Sequence, residues 1–384
     1  MLKIKRTKSN TAFSCDATIL ASALTRINAI TDYGQTTSGS AKQHLFVAQD
    51  DKLFLVGLSQ DVTSYISVDA TPSSDGICSF NASLLLGLIK KRKGIFKFEA
   101  KGGEMLFSSK STNYKGSINL NEVTNEVVDE VNGIDSTKKA VALRPETLAE
   151  LKRAVKSVSA KDIIFGTPLT IHIQVRDSQL RATAYDGYHA LVFISKSELK
   201  SKNFTLSVTG SAYNVMEKFI ANEEVAFSVD SHLRINKENA IYASIPSVQS
   251  EKEDYEVFEQ VKSLEKSGCK AKIVVPGTIC ETISNMFALK SASLESTSKF
   301  DFEVNSEGLK ITYKTTSGQT MESLDAEIKK GKKCKFSISE KLVTDVFSPF
   351  AGQKEILMTI FDGRFALESE TESHVLKGVG TFDE

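Results

Sequence analysis

The sequence contains one structural unit three times, and this repeat limits the possible folds more than any other feature. The segments CSFNASLLLGLI, LSVTGSAYNVMEKFI and FSISEKLVTDVF, which start near residues 78, 206 and 336, are alike. Each has a serine in a short apolar strand, and these serines recur at intervals of 128 and 130 residues, at Ser79, Ser207 and Ser337. Two positions later comes a residue type that caps a helix, followed by an amphipathic helix. The three candidate caps are Asn81, Thr209 and Ser339.

A second set of three similar segments precedes the first set, so each repeat consists of two similar halves. AFSCDATILASALTRINAI, VALRPETLAELKRAVKSV and IVVPGTICETISNMFAL each predict a short strand followed by a helix. A β-hairpin follows each of them, with matching leucines at Leu53, Leu180 and Leu309. We therefore predict an α+β fold of three tandem domains, each made of two βαβββ-like halves with its helices on one face of the sheet.

The repeat also predicts where the domains begin and end. Domain 1 is expected over residues 1–120, domain 2 over 140–260 and domain 3 over 272–384. Residues 121–139 are polar, acidic and without an apolar pattern, and we interpret them as a linker. Residues 261–271 are interpreted as a second linker.

Composition limits the possible compartments and partners. No stretch approaches the roughly 20 apolar residues that span a bilayer, and the N-terminal MLKIKRTKSN has no apolar core. The five cysteines are scattered and form no CxxC pair, which argues against a zinc site and favours a reducing cytoplasm. Lys plus Arg and Asp plus Glu both number 48, so the net charge is zero. Any contact with nucleic acid must therefore depend on local basic patches.

The segment RATAYDGYHALVF, residues 181–193, is the one place that resembles a catalytic cluster, because it places acid, phenol and imidazole groups around a glycine. The corresponding hairpins of the other two repeats, LFLVGLSQDV and LKITYKTTSG, have no histidine. The sequence has no GxxxxGK[ST], HExxH or GxSxG motif. We therefore expect no enzymatic activity, no cofactor and no metal, and we interpret the segment as a specialised binding turn.

Three segments in their order along the chain resemble the bacterial β sliding clamp, the processivity subunit of the replicative DNA polymerase. LRATAYDGYHALVF is similar to the ATDGHRLA stretch in the second domain of that family. FEAKGGEMLFSSKSTNYKGSI resembles the hairpin that closes the family's first domain. DYEVF lies where the family has FPDYR. The resemblance implies a ring around double-stranded DNA, bound without regard to sequence. It also implies a head-to-tail homodimer that receives short peptides from a polymerase and a clamp loader.

The departures from the family pattern lie in the regions that form its peptide pocket. Tyr188, His189 and Ala190 replace His-Arg-Leu, Glu253 replaces a proline, and the chain ends in GVGTFDE in place of an apolar tail. A divergent member, with a phage-encoded clamp as one possible origin, fits these departures. The resemblance places the pocket at Phe165, Tyr185, Gly187, Tyr188, His189, Phe258, Val379 and Phe382.

DNA contacts are expected on basic patches of the helices. A helix is predicted over residues 146–159. Its apolar side consists of Leu148, Leu151, Val155 and Val158, and its other side is positively charged through Lys152, Arg153 and Lys156. A second patch, Lys90, Lys91, Arg92 and Lys93, follows a predicted helix over 82–89, where the helix dipole alone also favours cations. Arg26 is a single further candidate. The third domain is expected to contribute least, because its helix near 278–289 carries Glu281.

Ring closure in the family joins domain 1 of one subunit to domain 3 of the next. The hairpin over 104–120 and the strand predicted over 319–328 carry opposite charges, which would favour a head-to-tail pair. The same charges could instead protect edge strands from aggregation. The expected interface residues are Lys110, Lys115, Glu322, Asp325 and Glu327.

Two other functions are compatible with the sequence. One is a peptide-binding scaffold or inhibitor with the clamp fold that never encircles DNA. It would keep the second-domain pocket and lose the basic lining or the ring closure. The other is an enzyme acting on nucleic acid through Asp186 and His189.

Overall fold

The structure is a computed structural model. It describes residues 11–38, 42–59, 62–109, 111, 113–133, 141–158, 163–164, 167–168, 170–185, 190–200, 202–221, 223–229, 232–237, 240–246, 263, 268–287, 298–315, 318–331 and 333–382. The chain forms two compact units, of which unit 1 comprises Met1–Pro145 and Ser211–Val248, and unit 2 comprises Glu146–Gly210 and Gln249–Glu384. No helix in the described ranges is long and apolar enough to cross a membrane.

The chain alternates helices with groups of antiparallel strands. The helices are α1 (Ala17–Ser38), α2 (Ala82–Ile89), α3 (Asn125–Asn132), α4 (Pro145–Val158), α5 (Gly210–Ile220), α6 (Ile279–Met286) and α7 (Glu340–Phe347). The strands are β1 (Ala12–Asp16), β2 (Gln43–Gln49), β3 (Lys52–Ser59), β4 (Val62–Val68), β5 (Ala70–Ser74), β6 (Gly76–Phe80), β7 (Ile95–Lys101), β8 (Glu104–Ser109), β9 (Tyr114–Asn121), β10 (Val141–Leu143), β11 (Ile163–Ile164), β12 (Thr167–Pro168), β13 (Thr170–Arg176), β14 (Gln179–Tyr185), β15 (Ala190–Ser195), β16 (Phe204–Thr209), β17 (Val225–Val229), β18 (His232–Lys237), β19 (Ile241–Pro246), β20 (Ala271–Pro276), β21 (Lys299–Asn305), β22 (Gly308–Thr315), β23 (Gly318–Leu324), β24 (Glu327–Gly331), β25 (Cys334–Ser339), β26 (Glu355–Ile360), β27 (Arg364–Glu370) and β28 (His374–Thr381).

The predicted threefold repeat is confirmed by the strand pairing. In each repeat the two βαβββ halves exchange their first strands: β1 pairs with β7 while β6 pairs with β2. In the second repeat β10 pairs with β17 and β16 with β13. In the third, β20 pairs with β26 and β25 with β21. The α+β fold with two helices per repeat is therefore as the sequence predicts.

Large antiparallel sheets join strands from different repeats. Unit 1 contains a thirteen-stranded sheet in the order β10-β17-β18-β19-β4-β3-β2-β6-β9-β8-β7-β1-β5. Unit 2 contains a nine-stranded sheet, β16-β13-β14-β15-β28-β27-β26-β20-β24, and a four-stranded sheet, β23-β22-β21-β25. A two-stranded ribbon, β11-β12, completes unit 2. The boundaries predicted between the domains remain predictions, because these sheets run across them.

The helices bury one face each against the sheets, which is the main source of stability in such layered folds. On α1 the buried stripe is Leu20, Leu24 and Ile27, at the spacing of a helix packed on one side. The approach to β3 is so close that a Cβ at Gly57 would lie 2.6 Å from Thr31 Cγ2. Only glycine fits there without a shift of the helix.

The interpretation of residues 121–139 as unpatterned is corrected by helix α3. Val127, Val128 and Val131 of this helix are buried, in a cluster that includes Leu45 and Tyr65 of the sheet. The helix thus covers the outer face of the unit 1 sheet with three valines on one stripe, while its acids lie on the other. The three valines have the spacing of a helix buried on one side. This helix was not predicted because the segment is acidic overall.

The single strand predicted over 319–328 is also corrected. The structure has two strands, β23 and β24, separated by Asp325 and Ala326. They belong to different sheets, since β23 pairs with β22 and β24 pairs with β20. Asp325 therefore lies at the crossing between two sheets and not within a strand.

One histidine is held neutral inside unit 1. The Nε2 of His44 lies 2.9 Å from the hydroxyl of Thr31 on α1, and the residue is buried. Burial, with a smaller contribution from Lys42, lowers the pKa of His44 to about 4. A buried imidazole that resists protonation couples the stability of the fold to pH.

We expect acid to destabilise the fold through His44. Below the ordinary histidine pKa of about 6.5, the unfolded chain gains a proton that the folded chain excludes until about pH 4. Stability from this group is therefore complete above about pH 6.5 and falls with pH, by about 3 kcal/mol over the whole window. Urea unfolding from pH 8 to pH 4 should show a shallower fall for His44→Gln than for the wild type. Parallel curves would contradict this assignment.

Candidate functional site

Helix α4 presents two lysines on its exposed face. Its inner face is formed by buried residues that include Leu151, Ala154 and Val158. Lys152 and Lys156, one turn apart, are exposed on the opposite side. The helix begins one residue earlier than predicted and ends at Val158. Its exposed basic stripe is narrower than expected, because Arg153 does not belong to it.

The guanidinium group of Arg153 is engaged within unit 2. It lies 2.6 Å from Glu150 Oε1 and 3.3 Å from the carbonyl oxygen of Ser373, to which it donates. Its central carbon is 5.6 Å from the ring centre of Phe193. The His374 ring stacks on the same Phe193 at 5.0 Å. Arg153 therefore holds α4 to the pair of strands β15 and β28.

Arg26 has the same kind of role in unit 1. Its Nε donates to the carbonyl oxygen of Phe219 at 2.7 Å, and its Nη1 lies 3.0 Å from Glu223 Oε1. The guanidinium carbon lies 5.7 Å from the Phe219 ring centre, and only 15% of the side chain is exposed. A planar cation stacked on a ring and paired with a carboxylate is a structural contact. These contacts tie Arg26 and Arg153 into the fold, and contact of either arginine with DNA stays a prediction, as it does for the exposed Lys152 and Lys156.

The repeat explains why the two arginines behave alike. The buried residues Leu24 of α1 and Leu151 of α4 occupy equivalent positions, and each arginine follows two residues later. The sequence contained this signal, but it is visible only when the helices are aligned by their buried stripes. His374 and Ser373 gave no signal, because their roles depend on the loop between β27 and β28.

The basic tetrad, Lys90 to Lys93, is exposed and directly follows α2. Lys90 closes the helix, since its backbone N–H donates to the carbonyl oxygen of Leu86. Arg92 places its guanidinium carbon 4.1 Å from the ring centre of Tyr114 on β9. This cation–π contact ties one end of the tetrad to the strand, while Lys90 and Lys91 extend from the helix end. DNA contact by the tetrad remains a prediction.

At the candidate peptide site, strands β14 and β15 lie in one sheet with the C-terminal strand β28. The sequence related these segments only through the family resemblance. Tyr185 at the end of β14 pairs with Ala190, Ala190 pairs with Val379 of β28, and Val379 pairs with Ala366. Ala190 and Val379 are buried against each other, with Ala366 partly buried beside them. Tyr185 is 41% exposed. Of the two described residues that flank positions 186–189, Ala190 is therefore paired directly with the C-terminal strand β28, and Tyr185 lies one strand further away.

The other predicted pocket residues divide into two groups. Phe382 packs into the third repeat, with its ring centre 4.9 Å from that of Phe336 and 6.4 Å from that of Phe365. It is partly buried core and not simply a wall of a pocket. Phe165, Gly187, Tyr188, His189 and Phe258 lie outside the described residues.

The predicted interface residues lie on strands with an open edge, within the described ranges. Lys115 is exposed on β9, whose residues up to Asn119 pair only with β8. Glu322 is exposed on β23, which pairs only with β22. Asp325 and Glu327 are exposed, and Glu327 forms an ion pair with Lys329 at 2.5 Å. Lys110 lies outside the described part of the chain. In that part, no three His, Cys, Asp or Glu side chains form a group that could hold a metal ion.

We expect Arg26→Ala to lower the free energy of unfolding by about 2 kcal/mol, because it leaves Glu223 and two backbone carbonyls without their charged donor. Lys152→Ala, on an exposed helix face, should change it by less than about 0.5 kcal/mol. Urea unfolding measures both. A stable Arg26→Ala variant with weakened DNA binding would restore the interpretation of Arg26 as a DNA contact.

Comparisons with known proteins identify the fold through solved structures, but they find no match to a family model or to a curated protein. No protein-family model and no curated protein sequence matches the chain. Solved structures match over nearly its whole length. DNA polymerase III beta subunit from Thermotoga maritima has a TM-score of 0.77 at 14% identity, over 97% of this chain and 99% of that one. The DNA polymerase sliding clamp from Bacillus subtilis has a TM-score of 0.77 at 15% identity, over 98% and 100%. The C. crescentus beta sliding clamp has 0.76 at 14%, over 98% and 100%. The chain therefore has the fold of the bacterial β sliding clamps, at sequence identities of 14% to 15%.

Proposed function

We propose that this protein is a sliding clamp, a ring that encircles duplex DNA and tethers a replicative DNA polymerase as its processivity factor. In this role it catalyses no reaction and needs no cofactor. The observation that carries the proposal is the pattern of strand pairing between repeats. That pattern joins successive repeats twice within the chain and, among the described residues, leaves the corresponding edges of β23 and of most of β9 without a partner strand.

The two internal junctions follow one rule. The last strand of a first half pairs with the last strand of the second half in the next repeat. In unit 1 this pair is β4 with β19, and Tyr65 lies opposite Tyr242. In unit 2 it is β15 with β28, and Val192 lies opposite Lys377. The strands left over are β23 and β9, whose open edges belong to the two ends of the series.

The rule predicts how a second copy closes the ring. Met321 lies opposite Thr312, and Thr312 follows the repeated leucine of the third repeat by three residues. Tyr65 and Val192 lie opposite the residues that follow the repeated leucines of the first and second repeats by three residues. Lys115 occupies the corresponding place on β9, since it lies opposite Ser108, three residues after Met105. If a second copy follows the same rule, Lys115 would lie opposite Met321 of the next subunit, and Tyr114 opposite Glu322. Two chains joined head to tail would give a ring of six repeats.

DNA within the ring would be held by charge alone. A clamp that slides needs contacts to phosphate without recognition of bases. Lys152 and Lys156 suit this purpose, because they project from one exposed helix face. With the net charge at zero, such local stripes have to supply the attraction.

A topological assay tests the clamp function. Protein loaded onto nicked circular DNA should stay bound, and should leave when a restriction enzyme linearises the circle. A bound ring can escape only over an end, so loss at equal rates from circle and linear DNA would contradict the proposal.

The salt dependence of binding then tests the α4 stripe. Replacing Lys152 and Lys156 by alanine should lower the slope of log affinity against log salt by about 1.8, since each lost phosphate contact removes about 0.9. The matched control replaces Lys97 and Lys101, which are exposed on β7 and outside the predicted patches.

The second part of the proposal is a peptide pocket beside the junction of β15 and β28, on domains 2 and 3. Its occupants would be short peptides of the polymerase and of the clamp loader. An exposed Tyr185 next to the buried pair Ala190 and Val379 gives an aromatic wall above an apolar floor. Tyr188 and His189 belong to the proposed pocket by the sequence resemblance alone.

Replacing Tyr185 or Tyr188 by alanine should weaken binding of a clamp-binding polymerase peptide by about tenfold, which is the effect of losing an aromatic anchor. Fluorescence anisotropy of the labelled peptide measures it, and Tyr185→Phe is the conservative control. Retention on circular DNA should not change. Phe382→Ala is not a clean test, because the ring also packs on Phe336 and Phe365. Wild-type affinity in both alanine variants would exclude this pocket.

The second candidate function is a clamp-fold scaffold or inhibitor that binds peptides without encircling DNA. It is favoured by one observation, the engagement of Arg26 and Arg153 inside their units, which removes two charges from the expected lining. The two functions differ in the topological assay, because a scaffold binds the peptide normally yet leaves circular and linear DNA equally fast.

A further inference from the structure

The position of Arg26 recurs in the third repeat with a different residue. Helices α1 and α6 align by their buried stripes, Leu20, Leu24 and Ile27 against Ile279, Ile283 and Met286. The residue before the last buried one is Arg26 in α1, and in α6 it is Asn285. At the one junction that would form between two chains, the arginine of the internal junctions is therefore missing.

The surface that receives Arg26 also recurs, in the first repeat. Helices α5 and α2 align by Met216 and Ile220 against Leu85 and Ile89, all of them buried. Phe219, which lies beneath Arg26, then corresponds to Leu88. Phe219 is fully buried, whereas Leu88 is only partly buried. Leu88 thus has the position of a junction residue without the cover that a junction gives.

The charge that follows these two helices is reversed. After α5 come Glu223 and Glu224, and Glu223 pairs with both Arg26 and Lys237. In the same alignment, Arg92 and Lys93 of the basic tetrad stand where α5 is followed by Glu223 and Glu224. On the facing helix, α6 carries an exposed Glu281 one turn before Asn285, where α1 has Ser22. At the junction of α1 and α5, a cation on the first helix pairs with an acid after the second helix, and here the signs are exchanged.

We propose that the basic tetrad and Leu88 form one half of the ring-closing junction and receive Glu281 and Asn285 of a second copy of this chain. This inference rests on the proposed ring and deepens it by assigning the tetrad to protein and not to DNA. Leu84, one turn before Leu88 on α2, is 51% exposed, and Gly87 leaves open space beside it. An apolar helix face with a basic end fits the α6 face of a partner better than a phosphate backbone.

The reversed charge would also make the closing junction selective. A helix with arginine at the position of Asn285 would bring a cation against the tetrad, and like charges across an interface disfavour association. The end of α6 would therefore fit the tetrad, whereas the ends of α1 and α4 would not. Such selectivity keeps the repeats of different chains from joining in the wrong order.

Charge reversal tests the proposal. Lys91→Glu combined with Lys93→Glu should raise the dimer dissociation constant by about tenfold or more, measured by analytical ultracentrifugation. Glu281→Lys alone should weaken the dimer as well. The triple variant should recover most of the affinity, since a head-to-tail dimer restores opposite charges at both junctions. Arg92 is left intact because it stacks on Tyr114.

Controls separate this proposal from the function on which it rests. Lys152→Glu with Lys156→Glu should leave dimerisation unchanged, and urea midpoints should show that all variants fold. A Lys91/Lys93 variant with a normal dimer and reduced DNA retention would overturn the proposal and keep the clamp. Weakening that Glu281→Lys does not repair would also overturn it. A wild-type protein that stays monomeric at every concentration would contradict the ring itself.

Discussion

A strand at the edge of a sheet leaves its outward N–H and C=O groups without partners in the sheet, and this chain has to satisfy them at the ends of each repeat. It does so by pairing β4 with β19 and β15 with β28, which merges strands of successive repeats into shared sheets. The remaining features follow. Arg26 and Arg153 fasten the helices over these junctions, and α3 covers the outer face of the first one.

The same constraint relates the monomer to its proposed assembly. In the described ranges, β23 and most of β9 keep an open edge, and the exposed Met321 lies on one of them. An open edge with an exposed apolar side chain is a site for strand addition. In the proposed ring, a second copy would supply the complementary edge by the rule that the two internal junctions follow.

Local signals in the sequence predicted the elements that local physics determines. Asn81 caps α2 by accepting from the N–H of Leu84, and the helix has the predicted limits of 82 and 89. Ser339 takes the cap position of α7 but makes no side-chain capping bond. The features that were not predicted from the sequence depend on tertiary contacts. The valines of α3 are buried only because the helix packs on the sheet. The chain leaves its strand at Asp325 because the strands before and after this residue belong to two different sheets.

The basic residues of this protein are used in different ways, and charge alone does not separate them. Eight basic residues were expected to face DNA, and Arg26 and Arg153 are fixed to aromatic rings and carboxylates inside the fold. Counting charge on a helix cannot separate these uses, whereas comparing repeat positions can. By that comparison, Lys152 and Lys156 have no counterpart in the junctions, while the basic tetrad has an acidic one after α5. A ring with zero net charge would then use its lysines for two purposes, weak attraction of DNA on α4 and closure between chains at the end of α2.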